Sequence, residues 1–240
     1  MQNRLLTAAI FSFFVSNAVG QLSARAVDTS RSIPAIEAYH QSFKDQILLY
    51  YGAEHIDYVK MDNSPYFSGN DWVSGSVRYN GLFYQNILMK YDQVRDKLVV
   101  QHLNKVFKVE LLSQRVAFFT MDGHNFFWLE EQAGEHTTLP KGYYDLLVSG
   151  KISVLARRVK IVEDYIEGME ARKRILDKTT YYILKDGIYY PVKKERSFLA
   201  LLDEKKREVQ QNLRKSKLKF RRRPETVLIT GAGYYNKTTN

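Results

Sequence analysis

Cysteine is absent from this 240-residue chain. The absence excludes a disulfide framework, a thiolate metal site and the lipid-attachment cysteine of a lipoprotein. Proline is scarce, at five residues, so few segments are barred from helix or sheet interiors. Long apolar runs are missing as well. Residues 5–15 form a mostly apolar stretch of about 11 residues, against the roughly 20 that a membrane-spanning helix needs. The five histidines, His40, His55, His102, His124 and His136, include no pair at the i, i+4 spacing that sets two imidazoles around zinc. No serine lies in a Gly-x-Ser-x-Gly elbow. Gly231-Ala232-Gly233 lacks the third glycine and the strand–helix unit of a dinucleotide fingerprint. These absences predict no cofactor and no metal site, and they lean against catalysis.

What is present begins at the N-terminus. Arg4 precedes the apolar stretch with Ile10, Phe11, Phe13 and Phe14, and small residues follow at Ala18 and Gly20. This is the layout of a secretory signal peptide over residues 1–20, cleaved after Gly20. It predicts a periplasmic or secreted protein that does not span a membrane once processed. Without disulfides, an exported chain must be held together by its core. A hydrophobic content of 45% against 26% charged residues is that of a folded globule rather than a disordered chain.

Residues 21–34 are polar and read as a flexible mature N-terminus. Ile36, Tyr39, Phe43 and Ile47 recur at spacings of three and four and predict a short helix over 36–49, ended near Gly52. From about residue 75 to 192, short runs of Val, Ile, Tyr and Phe alternate with turn dipeptides. Asn80-Gly81, Asp122-Gly123 and Asp186-Gly187 each sit between two such runs, as do Asn104-Lys105 and Ser149-Gly150. Asn-Gly and Asp-Gly adopt the positive φ that tight hairpin turns require. The fold class predicted is mainly β (α+β): an antiparallel meander of about eight to ten strands, curved or partly closed, over residues 35–192 with its leading helix.

Strand periodicity adds detail. Phe107, Val109 and Leu111 face one way, and Lys108 and Glu110 the other. Over residues 82–91, Phe83, Ile87, Met89 and Tyr91 are expected on one face and Leu82, Tyr84 and Leu88 on the other. Residues 124–129 are apolar on both faces, so a second layer is expected over them. Residues 163–175 are charged and read as a helix or a crossing loop. Ser197 reads as a helix N-cap, residues 203–218 as a helix with Val209 and Leu213 on one narrow face, and Pro224 as its breaker. Gly231 and Gly233 predict a short final helix.

Aromatic pairs recur, among them Phe118-Phe119, Phe126-Phe127, Tyr143-Tyr144 and Tyr181-Tyr182. In strands the two rings of a pair face opposite sides, which predicts sheet packing or, more sharply, an exposed tyrosine platform. His55 and Asp57 share a strand face, a weak metal or acid–base hint outweighed by simple packing. His124 is expected to bond locally at its hairpin tip. Asp57, Asp71 and Asp92 are the acids to inspect for glycan hydrolysis, which needs two carboxylates across a cleft.

Tyr51-Gly52, Asp71-Trp72, Gly75, Tyr79-Asn80-Gly81, Tyr84 and Tyr91-Asp92 form a recurring pattern, extended by Gly123-His124, Phe126 and Gly142-Tyr143-Tyr144. A Lys/Arg-rich helix and Tyr234-Tyr235 follow. The pattern resembles uncharacterised exported β-rich proteins of Gram-negative Bacteroidota. The resemblance implies export and a β-rich body, and it carries no established activity and no catalytic residues.

The formal net charge is +10, and its location matters more than its size. Residues 193–223 hold thirteen basic against four acidic side chains, a net of +9. The basic helical segment 193–240 therefore supplies the candidate face for an anionic partner: Lys205, Lys206, Arg207, Arg214, Lys215, Lys217, Lys219, Arg221, Arg222 and Arg223. Export argues against nucleic acid as that partner. Lipid head groups, polysaccharide or an acidic protein fit the compartment. The function expected is a non-catalytic envelope protein that binds or scaffolds through this segment. A periplasmic carrier of an apolar, lipid-like ligand is the alternative, and an envelope-glycan hydrolase the second alternative.

Overall fold

The computed structural model describes residues 47–59, 61–133 and 138–239. The expected signal peptide and polar mature N-terminus lie outside these residues. So does the expected leading helix, apart from residues 47–49, which are helical.

The chain is mostly β, as its turn dipeptides predict. Eleven strands form one antiparallel sheet: β1 (Ala53–Glu54), β2 (Val73–Tyr79), β3 (Leu82–Asp92), β4 (Lys97–Gln101), β5 (Lys108–Glu110), β6 (Val116–Met121), β7 (His124–Leu129), β10 (Gly142–Val148), β11 (Ile152–Glu167), β12 (Glu170–Lys185) and β13 (Ile188–Val192). Two short strands, β8 (Gln132–Ala133) and β9 (Thr138–Leu139), pair separately. The sheet order is β1-β5-β4-β3-β2-β6-β7-β10-β11-β12-β13, so the sheet is curved but open, with β1 and β13 at its edges.

Three hairpins turn as their dipeptides require. Asn80-Gly81, Asp122-Gly123 and Asp186-Gly187 all take two successive positive φ angles, 51° and 81°, 48° and 77°, and 51° and 78°. Gly75 is different. It lies inside β2, not at a hairpin corner, and a Cβ there would meet the Thr120 carbonyl oxygen on β6.

One register shift redirects the side chains of β3. Gly75 pairs with Ile87 and Val77 with Tyr84, so β3 carries an extra residue between those pairs. Asn86 absorbs it at φ 56°. Strict alternation therefore fails there. Tyr84, Met89 and Tyr91 all enter the core, while Phe83 and Leu88 are exposed.

The first core fills the curl of the sheet with Val77, Tyr79, Met89, Tyr91, Leu98, Val100, Phe119, Phe126 and Tyr143. Its rings meet edge-on and stacked, with Phe119 and Phe126 centroids 4.8 Å apart. The second core lies between β10–β13 and the C-terminal helices. Ile152, Val154, Ile183 and Val192 meet Phe198, Leu202, Val209, Leu213, Val227 and Leu228. A third, smaller cluster joins Leu139, Tyr144, Leu155 and Tyr182. Tyr143 and Tyr144 thus fall in different clusters, and both are fully buried. That is the packing outcome for an aromatic pair, not an exposed platform.

The C-terminal helices are α1 (Glu195–Leu199), α2 (Lys206–Lys215) and α3 (Pro224–Thr238). Ser197 is not the N-cap of α1, because Lys194 holds that position and the Ser197 hydroxyl donates to the Lys194 carbonyl. The helix expected over 203–218 is a 3-10 turn, Asp203–Lys205, followed by α2 alone. Pro224 starts α3 rather than merely ending α2; its missing N–H costs nothing in a first turn. α3 runs 15 residues through both glycines. At Gly231 the reason is close approach, since a Cβ would stand 2.6 Å from Cε1 of Phe198. No helix among the described residues is long and apolar enough to cross a membrane.

Residues 163–175 are neither helix nor crossing loop. They form the outer half of the β11–β12 hairpin, sixteen residues a strand, turning at Gly168 with φ 65°. Cross-strand ion pairs Glu163–Arg174, Asp164–Lys173 and Glu167–Arg172 line it.

Candidate functional site

Two places gather chemistry-bearing side chains: a polar cleft over β3 to β5, and the cationic surface of the C-terminal helices.

The cleft follows from the pleat of β3, β4 and β5. Met89 and Tyr91 point into the first core, so Lys90 and Asp92 point out. Cross-strand pairing then places Lys90, Val99 and Glu110 in one row on that outer face. The connection from β1 to β2 covers this face. His55 is buried there, its Nδ1 2.9 Å from Glu110 Oε1 and its Nε2 2.8 Å from the Tyr66 hydroxyl. Tyr58 donates to both oxygens of Asp92, at 2.8 and 3.0 Å, and Asp92 also accepts the backbone N–H groups of Val94 and Arg95. Lys108 pairs with Asp57. Arg95 donates to the Ile56 carbonyl and lies 3.6 Å from Glu110. The Lys160 ammonium holds the carbonyls of Ser64 and Tyr66, at 2.8 and 2.6 Å.

These contacts leave an opening of about 370 Å³ lined by Asp57, Tyr58, Tyr66, Asn70, Lys90 and Lys108 among others. Burial alone would raise the Asp57 carboxyl, but the Lys108 ammonium bonded to it brings it below its ordinary value. Burial pushes the Tyr58 and Tyr66 hydroxyls well up, with the Asp92 carboxylate adding to the first and Asp57 to the second. Lys90 is lowered, chiefly by burial and then by repulsion from Lys108.

The acids singled out in the sequence separate here. Asp57 and Asp92 have committed partners, and Asp92 is fully buried within its turn. Asp71 is exposed. His55 and Asp57 do come near each other, at 4.0 Å, yet no group of three His, Asp or Glu side chains able to hold a metal occurs among the described residues. His124 does not bond locally at its turn. Its Nδ1 lies 2.8 Å from buried Asp145 on β10, which also takes Arg158 at 2.9 Å. Arg158 in turn holds Glu225 of α3 at 2.8 Å, and the Tyr181 hydroxyl donates to the same carboxylate. Arg158 loses solvation on burial, but Asp145 and Glu225 outweigh that and raise it. This chain of contacts ties the first core to α3.

The cationic face follows from two local patterns. On α2, Val209 and Leu213 are buried, which turns Arg207, Arg214 and Lys215 to solvent. On the connection to α3 the chain alternates. Leu218 and Phe220 pack against the second core, while Lys217, Lys219 and Arg221 are exposed, followed by exposed Arg222 and Arg223. Lys206 is exposed too, and Lys205 is half-buried and bonded to Glu208 at 3.0 Å. Apart from Lys205, none of the ten candidate side chains has an acidic partner within 4 Å among the described residues.

Nine of the ten cations singled out in the sequence are exposed, whereas the assembly of the cleft was not foreseen. The signals for the cleft were His55 and Asp57 on one strand face, and Lys90 and Asp92 alternating with the core residues Met89 and Tyr91. No protein-family model, curated protein or solved structure matches the chain.

Proposed function

We propose that this chain is an exported, non-catalytic binding protein of the cell envelope, held to an anionic lipid surface by its C-terminal cations. One observation carries the reading: exposed cations with no acidic partner among the described residues crowd α2 and the α2–α3 connection, where Val209, Leu213, Leu218 and Phe220 anchor the chain to the core. A solvated helix face ordinarily intersperses both signs and forms i, i+4 pairs. Here, of the ten cations, Lys205 alone has an acidic partner among the described residues, Glu208 three positions on. Near an anionic lipid surface each Lys or Arg contributes about 1 kcal/mol, so several acting together are enough for reversible docking. The cleft over β3 to β5 is polar, and helix side chains fill the space over β10–β13, so neither favours an apolar-ligand carrier.

Truncation is a poor test, because residues 198–235 supply nine of the thirteen buried side chains of the second core. Charge removal is the better one. The variant Arg207→Gln, Arg214→Gln, Lys219→Gln, Arg221→Gln, Arg222→Gln keeps every buried side chain. Co-sedimentation with phosphatidylglycerol vesicles should fall at least tenfold in the variant, and binding by the parent should weaken with added salt. Equal sedimentation of both forms, or equal binding to uncharged phosphatidylcholine vesicles, ends the proposal.

A further inference from the structure

Among the described residues, each carboxylate of the polar layer over β3, β4 and β5 has a close partner, but one buried lysine does not. Glu110 takes His55 and Arg95, Asp92 takes Tyr58, and Asp57 takes Lys108. Lys90 is left over. It is only 8% exposed. Among the described residues no carboxylate lies within 4 Å of its ammonium, and no hydrogen bond reaches it. Its charge rests instead between two rings, 4.9 Å from the Tyr66 centroid and 4.7 Å from that of Trp72. Ring faces attract a cation but replace only part of the water that burial removes. An ammonium held this way, on the wall of an opening of about 370 Å³, lacks an anion.

We infer that this cleft binds a small carboxylate-bearing molecule, with Lys90 as its counter-ion. The inference is independent of the cationic face on α2 and involves none of its residues. Contact geometry selects the ligand class. Lys108 is paired with Asp57, whereas Lys90, on the same opening, has no carboxylate within 4 Å among the described residues. Asp57 and Asp71 act on Lys90 only from beyond 4 Å. A carboxylate brings the single negative charge that Lys90 lacks at contact distance. A phosphate monoester carries nearly two at neutral pH and would face Asp57 across the same opening. The other polar walls leave few donors free. The Tyr58 hydroxyl is committed to Asp92, the Tyr66 hydroxyl to His55 and Asp57, and both ends of the Asn63 amide to the Ile175 backbone. Asn70, exposed at the rim, has its amide available for the rest of the ligand. The depressed affinity of Lys90 for its proton agrees with this arrangement, and a bound carboxylate reverses it.

The test uses the full chain labelled with ¹³C at lysine, with the Lys90 resonance assigned by its loss in Lys90→Met. Acetate, benzoate and glucuronate are titrated in turn, each beside its uncharged amide, with inorganic phosphate as a further arm. At least one carboxylate should move the Lys90 resonance saturably and raise the melting temperature. Its amide should do neither, and phosphate should bind about tenfold more weakly or worse. Lys90→Met keeps the hydrocarbon stem between the two rings and should abolish the melting shift. Asn70→Ala, which leaves Lys90 in place, should weaken binding severalfold, and Lys219→Gln should leave it unchanged. The inference fails if no carboxylate moves Lys90, if an amide or phosphate binds as tightly, or if Lys90→Met responds like the parent.

Discussion

Lys217 sits where glycine is ordinarily found. Its φ is 54°, one past the last residue of the cap that ends α2. The Leu218 N–H reaches back to the Leu213 carbonyl at 3.3 Å and the Lys217 N–H to that of Arg214 at 3.0 Å. Those two bonds, with Leu218 packed in the same core as Leu213, make a Schellman motif. Six of the eight non-glycine residues at positive φ among the described residues are Asn or Asp, whose short side chains tolerate that region. Lysine has no such compensation and costs roughly 1–2 kcal/mol there, of which glycine's larger unfolded-state entropy would return about 0.5–1 kcal/mol. Among the described residues Lys217 has no acidic partner to lose. Lys217→Gly should therefore stabilise the protein by about 0.5–1 kcal/mol, read as a higher urea midpoint at unchanged slope. A midpoint that stays or falls would mean the cap is not formed as described.

The β11–β12 hairpin is the element that the sequence concealed most completely. Over residues 163–175 both strand faces carry charge, so neither a period of two nor one of 3.6 stands out. What holds the strands together is cross-strand pairing, which becomes visible only once the register is known. Asn86 hid a second feature, because one inserted residue reverses which side chains of β3 face the core, and no local pattern announces it. Gly231 misled in the opposite direction. It reads as a helix stop but is a contact point for Phe198. By contrast, the three Asn-Gly and Asp-Gly turns were legible because backbone geometry alone fixes them. The hairpin is tied down by an imitation of strand pairing: the Asn63 amide donates to the Ile175 carbonyl at 2.9 Å and accepts its N–H at 2.8 Å. Asn63→Ala should therefore speed hydrogen exchange at the Ile175 amide by at least tenfold. The amides of β12 that pair inward with β11 should keep their protection. Unchanged exchange at Ile175 would show that the anchor lies elsewhere.

Across the whole molecule, the cleft and the cores share one consequence of building with tyrosine instead of disulfides: stability bounded on the alkaline side. Tyr91 is completely buried and its hydroxyl, which donates to Asp96 at 2.7 Å, is pushed far up by burial and then by that carboxylate. Burial also raises Tyr143, Tyr144, Tyr58 and Tyr66, and Tyr181 is pushed up to about 12 by burial with help from Glu225. An unfolded tyrosine releases its proton near pH 10. Above that pH the unfolded chain holds fewer protons than the native one, so stability must fall as pH rises. Lys90 and Lys160 oppose this below the same pH. Burial lowers both, so between their native values and the ordinary lysine value of about 10.4 the unfolded chain holds more protons, and stability gains with pH. The two signs together give a curve that is flat or gently rising up to about pH 10 and steeply falling beyond it. Urea midpoints measured across that range, alongside tyrosinate absorbance, should show the buried tyrosines ionising in the same cooperative step as unfolding. If those tyrosines titrate one by one while the fold persists, water already reaches them, and the packed aromatic core that defines the curl of the sheet is not there.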